Sequence, residues 1–129
     1  MTDKNHLIKL TKQLIRIPSQ NPPGDEYRVA RFVVAFLEDL GLKAKIYEFK
    51  KNRSNVIATL KGKDKNSSLL VSPHLDTVPA GSNWRFPPFA AVLHNRRIYG
   101  RGASDDKGNL AVLLETIKSL IQQKYILNY

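Results

Sequence analysis

The residues best suited to chemistry begin with His74 and Asp76, which follow a short apolar run at residues 69–71. An aliphatic run bounded by turn formers predicts a strand buried on both faces, with the chain leaving the core at Ser72. Ligands gather outside the carboxyl ends of strands in open α/β sheets, so this position favours a site. Residues i and i+2 of an extended chain point to the same side. Asp76 can therefore orient the imidazole of His74 for metal binding, although the pair also fits a surface loop.

A second candidate cluster lies at residues 99–108, where three glycines surround Asp105, Asp106 and Lys107. Glycines leave the backbone free to adopt unusual dihedral angles around a charged centre. Two adjacent aspartates repel each other unless solvent, Arg101, Lys107 or a cation lies near them. The segment also fits a plain helix N-terminus, because serine and aspartate are favoured there.

Read together, these segments resemble one protein family closely. The motifs are HLDTVPAG at residues 74–81, Trp84 with PPF at 87–89, IYGRGASDDKG at 98–108, and IPSQNPPG at 17–24. In this order and spacing they resemble the co-catalytic zinc amidohydrolases. That family includes acetylornithine deacetylase, succinyl-diaminopimelate desuccinylase, aminoacylase, carnosinase-type dipeptidases and glutamate carboxypeptidase.

The resemblance implies metal-dependent hydrolysis of an amide bond, in an N-acyl amino acid or small peptide, through a metal-activated water. His74 would be a terminal ligand of one zinc, and Asp105 would bridge two zincs. Asp76, the residue assigned to catalysis, would orient His74 and tune the site. Cobalt or manganese are alternatives to zinc.

The neighbouring residues receive structural roles at this stage. Asp106 falls where relatives vary, and we expect it to stabilise the first turn of a helix. Arg101 is a candidate charge partner for Asp105 or Asp106. Trp84 and Phe89 are expected to pack the loop between the motifs. We assign no metal to the remaining histidines, of which His6 lies in a predicted helix and His94 in a predicted polar turn.

The resemblance also implies that residues 1–129 form an incomplete N-terminal part of a metallohydrolase catalytic domain. The fold class is α/β, a sheet packed with helices, without a lid or dimerisation domain. The paired glutamates, the further acidic ligand and the late histidine of the family have no counterpart here, so we expect no turnover from this chain alone. The alternative is a non-catalytic truncated remnant or self-associating interaction module, a homo-oligomer joined through an exposed sheet edge.

Composition narrows the classes of protein and partner. With 129 residues, 42% of them hydrophobic and 25% charged, the chain has the size and composition of one globular domain. Cysteine is absent, so a metal site must use histidine and carboxylates. The net charge of +10 is spread without interleaved aromatic residues, which disfavours nucleic-acid binding. We find neither a membrane-spanning apolar stretch nor a signal segment, and we expect a cytoplasmic protein with a small-molecule substrate.

Apolar periodicity predicts the elements that position these residues. Asp25 and Glu26 are expected in the first turn of the second helix, and Gly41 just after its end. Residues 79–88 are expected to form a loop. The predicted helices span residues 4–17, 25–40 and 107–123, and the predicted strands, besides that at 69–71, span 42–49, 54–61 and 97–99.

Overall fold

The structure, a computed structural model, describes residues 3–128. Three helices surround a small core, and two antiparallel hairpins flank it. The elements in chain order are α1 (Lys4–Ile15), α2 (Tyr27–Asp39), β1 (Ala44–Lys50), β2 (Arg53–Ala58), β3 (Val92–His94), β4 (Arg97–Tyr99) and α3 (Lys107–Gln122). The predicted α/β class is confirmed, and the three helices lie within two residues of their predicted ends. No helix in residues 3–128 is long and apolar enough to cross a membrane.

The core forms where the apolar faces of the three helices meet. In α1, Leu10 and Leu14 recur at i and i+4 and are almost completely buried. They belong to the same cluster as Leu110 and Leu114 of α3. Helix α2 contributes the other apolar face, and the buried members of the whole cluster are Leu10, Leu14, Val29, Val33, Leu37, Leu110, Ala111 and Leu114. Burial of these side chains supplies the main driving force for folding.

The β1–β2 hairpin packs on this cluster through Ala44 and Val56. Gly41 ends α2 as predicted, in a left-handed conformation with φ +82° that favours glycine. The prediction for Asp25 and Glu26 was wrong, because α2 begins at Tyr27 and has no acidic residue in its first turn. The buried Glu26 carboxylate instead forms an ion pair with Arg53 of β2 at 2.8 Å.

The prediction of a buried strand at residues 69–71 was also wrong. These residues have no regular secondary structure, and Leu69, Leu70 and Val71 are 64%, 88% and 53% exposed. The strands described in residues 3–128 pair only as β1 with β2 and β3 with β4. An extended segment needs a neighbouring strand for its backbone hydrogen bonds, and neither hairpin provides one here.

The strand predicted at Arg97–Tyr99 is confirmed as β4, and its partner β3 was missed. Three residues are too few to show a periodic pattern. His94 therefore lies at the end of β3 rather than in a turn. Positive φ angles of 48° and 62° at Asn95 and Arg96 match the type I′ turn of a two-residue hairpin loop.

Candidate metal centre

The imidazole of His74 lies between two carboxylates. Its Nδ1 atom is 3.0 Å from Oδ1 of Asp76 and 3.1 Å from the Asp76 carbonyl oxygen. Its Nε2 atom is 2.8 Å from Oδ1 of Asp105. The structure thus brings the three predicted site residues together, although 31 positions separate His74 from Asp105. The cluster is open to solvent, since the side chain of His74 is 46% exposed and that of Asp105 is 88% exposed.

The charges of this cluster support one another. The hydrogen bond to Asp105 raises the pKa of His74; partial burial opposes this rise, and the hydrogen bond to Asp76 adds to it. Partial burial by itself raises the pKa of Asp76. Hydrogen bonds from Asn21 and His74 outweigh that burial and hold the Asp76 pKa below its ordinary value. Asp76 is therefore ionised at neutral pH and can accept a hydrogen bond from Nδ1–H of His74.

The backbone before Asp105 is fixed by a close approach at Gly102. This residue has φ +83°, and a Cβ atom there would lie 2.8 Å from Cγ2 of Thr77. The Lys107 N–H donates to the Gly102 carbonyl at 2.9 Å. The Lys107 side chain is fully buried and its Nζ donates to the Ile17 carbonyl oxygen. Burial lowers the pKa of Lys107 to about 8.

The loop between α1 and α2 clamps the loop that carries His74. Thr77 and Gln20 form a parallel bridge. The Ser19 hydroxyl donates to the Leu75 carbonyl at 2.7 Å, and Oε1 of Gln20 accepts from the Ala80 N–H at 2.7 Å. The Asn21 side chain reaches the site itself, because Nδ2 donates to Oδ2 of Asp76 at 3.0 Å.

Sequence reasoning identified this loop as a motif but assigned no role to Asn21. The contact joins residues 55 positions apart, and no local pattern in the sequence reports it. A polar pair between prolines, Gln20 and Asn21 before Pro22, was the only local signal.

The expectation for Arg101 was wrong. Arg101 contacts neither aspartate; its Nη2 donates to the Ala80 carbonyl at 3.1 Å, and its guanidinium lies 5.1 Å from the ring centre of Trp84. Asp106 is the N-cap residue of α3 and makes no side-chain capping bond, but its carboxylate accepts from the side chain of Asn109 in the first turn. The same carboxylate accepts from the backbone N–H of His74 at 3.2 Å. Asp106 therefore ties the two loops of the site together.

Trp84 packs the loop between the motifs, as expected. Its indole N–H donates to the Ala80 carbonyl at 2.7 Å, the same oxygen that Arg101 contacts. Trp84 and Arg101 together anchor the end of the His74 loop to the strand exit before Asp105.

The donor set fits part of a metal site. An imidazole nitrogen with its other nitrogen held by a carboxylate is a common zinc ligand, and a carboxylate facing it suits the same ion. Zinc in catalytic sites takes three protein ligands, whereas His74 and Asp105 are two. Across residues 3–128, no group of three or more His, Asp or Glu side chains is arranged to hold an ion. The described residues therefore form a half-site.

Comparison with known proteins shows which family this chain resembles. Residues 70–128 match the model of Peptidase family M20/M25/M40. The resemblance is to the M20 metallopeptidases. It is confirmed in three dimensions by the crystal structure of an M20 family metallo-carboxypeptidase from Sulfolobus solfataricus, with a TM-score of 0.82 and 32% identity over 95% of this chain and 28% of that chain.

The curated relatives that this chain resembles are named for different substrates. Succinyl-diaminopimelate desuccinylase of Blochmanniella floridana is 42% identical over 92% of this chain and 31% of that protein. A deformylase of Halalkalibacterium halodurans, named for N-formyl-4-amino-5-aminomethyl-2-methylpyrimidine, is 33% identical over 92% of this chain and 29% of that protein. The chain thus spans about a third of the length of these relatives. The chain thus resembles part of a metal-dependent hydrolase.

Proposed function

We propose that this chain forms the N-terminal half-site of an M20 hydrolase that cleaves an amide bond in an N-acyl amino acid or small peptide. The observation that carries the proposal is the contact of His74 Nε2 with Asp105 Oδ1 at 2.8 Å, within motifs matched to the family. The names of the relatives, a desuccinylase and a deformylase, support acyl-amide substrates.

In this proposal His74 and Asp105 would hold the metal. A bound divalent metal would activate a water molecule near neutral pH and polarise the amide carbonyl. Oδ1 of Asp76 accepts a hydrogen bond from Nδ1–H of His74, which would leave the Nε2 lone pair for a metal held beside Asp105. Gly102 and Lys107 hold the backbone that carries Asp105, and Asp106 keeps that backbone close to His74.

The same proposal predicts no turnover from the chain alone. The described residues offer two converging ligands and no carboxylate placed as a general base beyond those already engaged by His74. Loss of a general base lowers the rate by about a hundred to ten thousand fold, even where the metal is held. The domain boundary at 1–129 and the cytoplasmic location remain predictions from the sequence.

A chimera tests the function. This chain replaces the matched 31% of the Blochmanniella floridana desuccinylase, and hydrolysis of N-succinyl and N-acetyl amino acids is measured with and without zinc. We expect zinc-dependent turnover from the chimera, none from the chain alone, and a loss of more than about a hundredfold in His74→Ala and Asp105→Asn. Asp64→Asn, at an exposed aspartate remote from the site, is the matched control. A folded chimera that binds zinc and hydrolyses no acyl amino acid or peptide would contradict the proposal.

The exposed apolar run at residues 69–71 supports the alternative, a self-associating non-catalytic module. The net charge of +10 opposes it, because two copies repel each other. Sedimentation velocity at low and moderate salt separates the two readings. A concentration-dependent dimer that Leu70→Ser dissociates would establish the alternative, and a zinc-free monomer at all concentrations would exclude it.

A further inference from the structure

The side chain of Asn21 reaches the candidate metal centre from outside both of its motifs. Its Nδ2 donates to Oδ2 of Asp76 at 3.0 Å, whereas Oδ1 of the same carboxylate faces Nδ1 of His74 at 3.0 Å. The two oxygens of Asp76 therefore have different and fixed partners. With Oδ2 held by an amide N–H, rotation of the carboxylate away from the imidazole would break both hydrogen bonds.

The loop that carries Asn21 does not depend on this side chain. The Asn21 backbone N–H donates to the Thr77 carbonyl at 2.8 Å, and the Thr77 N–H donates to the Ser19 carbonyl at 2.9 Å. The Ser19 hydroxyl and the Gln20 side chain add two further bonds to the His74 loop. Because these contacts already join the loops, the amide of Asn21 is free to act on the carboxylate.

The acceptors around His74 define what that action is. Nδ1 faces only oxygen acceptors, the carbonyl and the Oδ1 atom of Asp76, so it must carry a proton to bond with them. Nε2 likewise faces an oxygen, Oδ1 of Asp105 at 2.8 Å, so in the metal-free site the two aspartates compete for the single proton of the neutral ring. The hold of Asp76 on Nδ1 shifts this competition toward the tautomer whose Nε2 presents a lone pair.

We propose that Asn21 is a positioning residue for the metal site, which fixes Oδ1 of Asp76 on Nδ1 of His74 and thereby selects the imidazole tautomer whose Nε2 can bind a metal. This inference rests on the proposed function, in which His74 binds the metal that the contacts of Asn21 with Asp76 and of Asp76 with His74 would serve. Asp76 is the partner one step behind the ligand, where a substitution changes metal affinity by about ten to a hundredfold, and Asn21 lies one step further out, where we expect a smaller change.

The test measures the tautomer directly in the metal-free chain. The protein contains three histidines, so long-range ¹H–¹⁵N spectra of the imidazole rings are readily assigned. Spectra are recorded at a pH high enough for the His74 ring to be neutral, with a single N–H proton. We expect the ratio of the Nδ1–H to the Nε2–H tautomer to fall by about two- to tenfold in Asn21→Ala, the effect of losing one hydrogen bond to Asp76.

Two further variants keep the result interpretable. Gln20→Ala removes a neighbouring side-chain bond between the same loops without touching Asp76, so it controls for loosening of the loop and should leave the His74 tautomer unchanged. Asn21→Asp keeps the side-chain shape and the backbone bonds, but it places a carboxylate against Asp76. It should disturb the tautomer at least as strongly as Asn21→Ala, even if the alanine variant folds poorly.

Zinc titration of the chimera described above gives the second readout. We expect Asn21→Ala to weaken zinc binding by about two- to tenfold, the effect of losing one hydrogen bond, and Gln20→Ala to leave it unchanged. If the Asn21 variants show the wild-type tautomer ratio, or if Gln20→Ala changes it equally, the inference is overturned. If the tautomer shifts as expected while no form of the chimera binds zinc, the control of His74 by Asn21 stands and the proposed function fails.

Discussion

The helical core and the His74 site are both built from contacts between distant segments, but they differ in how completely those contacts are enclosed. Leu14 and Leu114 lie in the core with 0% and 1% of their surface exposed. The side chains of His74 and Asp105 meet with 46% and 88% exposed. The side chains of the core therefore contact one another, whereas the site holds its polar side chains in a fixed arrangement that solvent and a ligand can reach. Stability and chemistry are placed in separate parts of this chain, and substitutions can test the separation.

The largest effect is expected at the centre of the core. Leu14→Ala removes a fully buried side chain and leaves a cavity between the helices, so it should lower the free energy of unfolding by about 2–5 kcal/mol. Urea denaturation followed by circular dichroism measures the change. Val112→Ala, at a 51% exposed position of α3, is the control and should change it by less than about 0.5 kcal/mol. Equal losses in both variants would show that the helices do not enclose a core.

A smaller effect is expected at Gly102, where the site depends on the fold. Gly102→Ala adds both left-handed strain and a contact at 2.8 Å with Thr77, and should destabilise the protein by about 1–3 kcal/mol. Gly81→Ala is a matched control, because its φ is +70° but nothing lies within 4 Å of the added atom. Thermal unfolding should separate the two variants, with Gly102→Ala unfolding at the lower temperature. The reverse order would mean that the Thr77 contact is absent in solution.

The ion pair behind the β1–β2 hairpin should contribute less. Glu26→Gln keeps the shape of the side chain but removes the charge that faces Arg53 at 2.8 Å, and should cost about 1–2 kcal/mol. Glu38→Gln, at an exposed position of α2, should have almost no effect. Denaturation at low and high salt checks the assignment, since a buried pair is screened weakly. A Glu26 effect that disappears in high salt would indicate a solvent-exposed pair.

The smallest effect is expected on the open side of the molecule. Leu70 is 88% exposed, so Leu70→Ser should change the free energy of unfolding by less than about 0.5 kcal/mol. The same exchange at Leu110, which is 3% exposed, should cost several times more. A large loss at Leu70 in chemical denaturation would show that residues 69–71 are covered in solution and would reopen the self-associating reading.

The sequence predicted most where contacts follow a local period. Leu10 and Leu14 lie one turn apart on α1, and that spacing alone predicts both a helix and its buried face. It predicted burial wrongly at residues 69–71, because an apolar run shows that a segment can be buried but not whether a neighbouring strand covers it. Asn21 escaped notice for a related reason. Its partner is 55 residues away, and only the folded loops bring the amide to the carboxylate.

The buried lysine at the start of α3 limits where this chain can vary in length. Lys107 Nζ reaches the Ile17 carbonyl beyond the end of α1, and Asp105 lies two residues before Lys107. One residue inserted between them would move the carboxylate by up to about 3.8 Å, the spacing of consecutive Cα atoms, relative to the anchored lysine. The number of residues between Asp105 and Lys107 therefore links the packing of α3 to the position of the carboxylate. Insertions should be tolerated in the exposed run at residues 63–71 long before they are tolerated here.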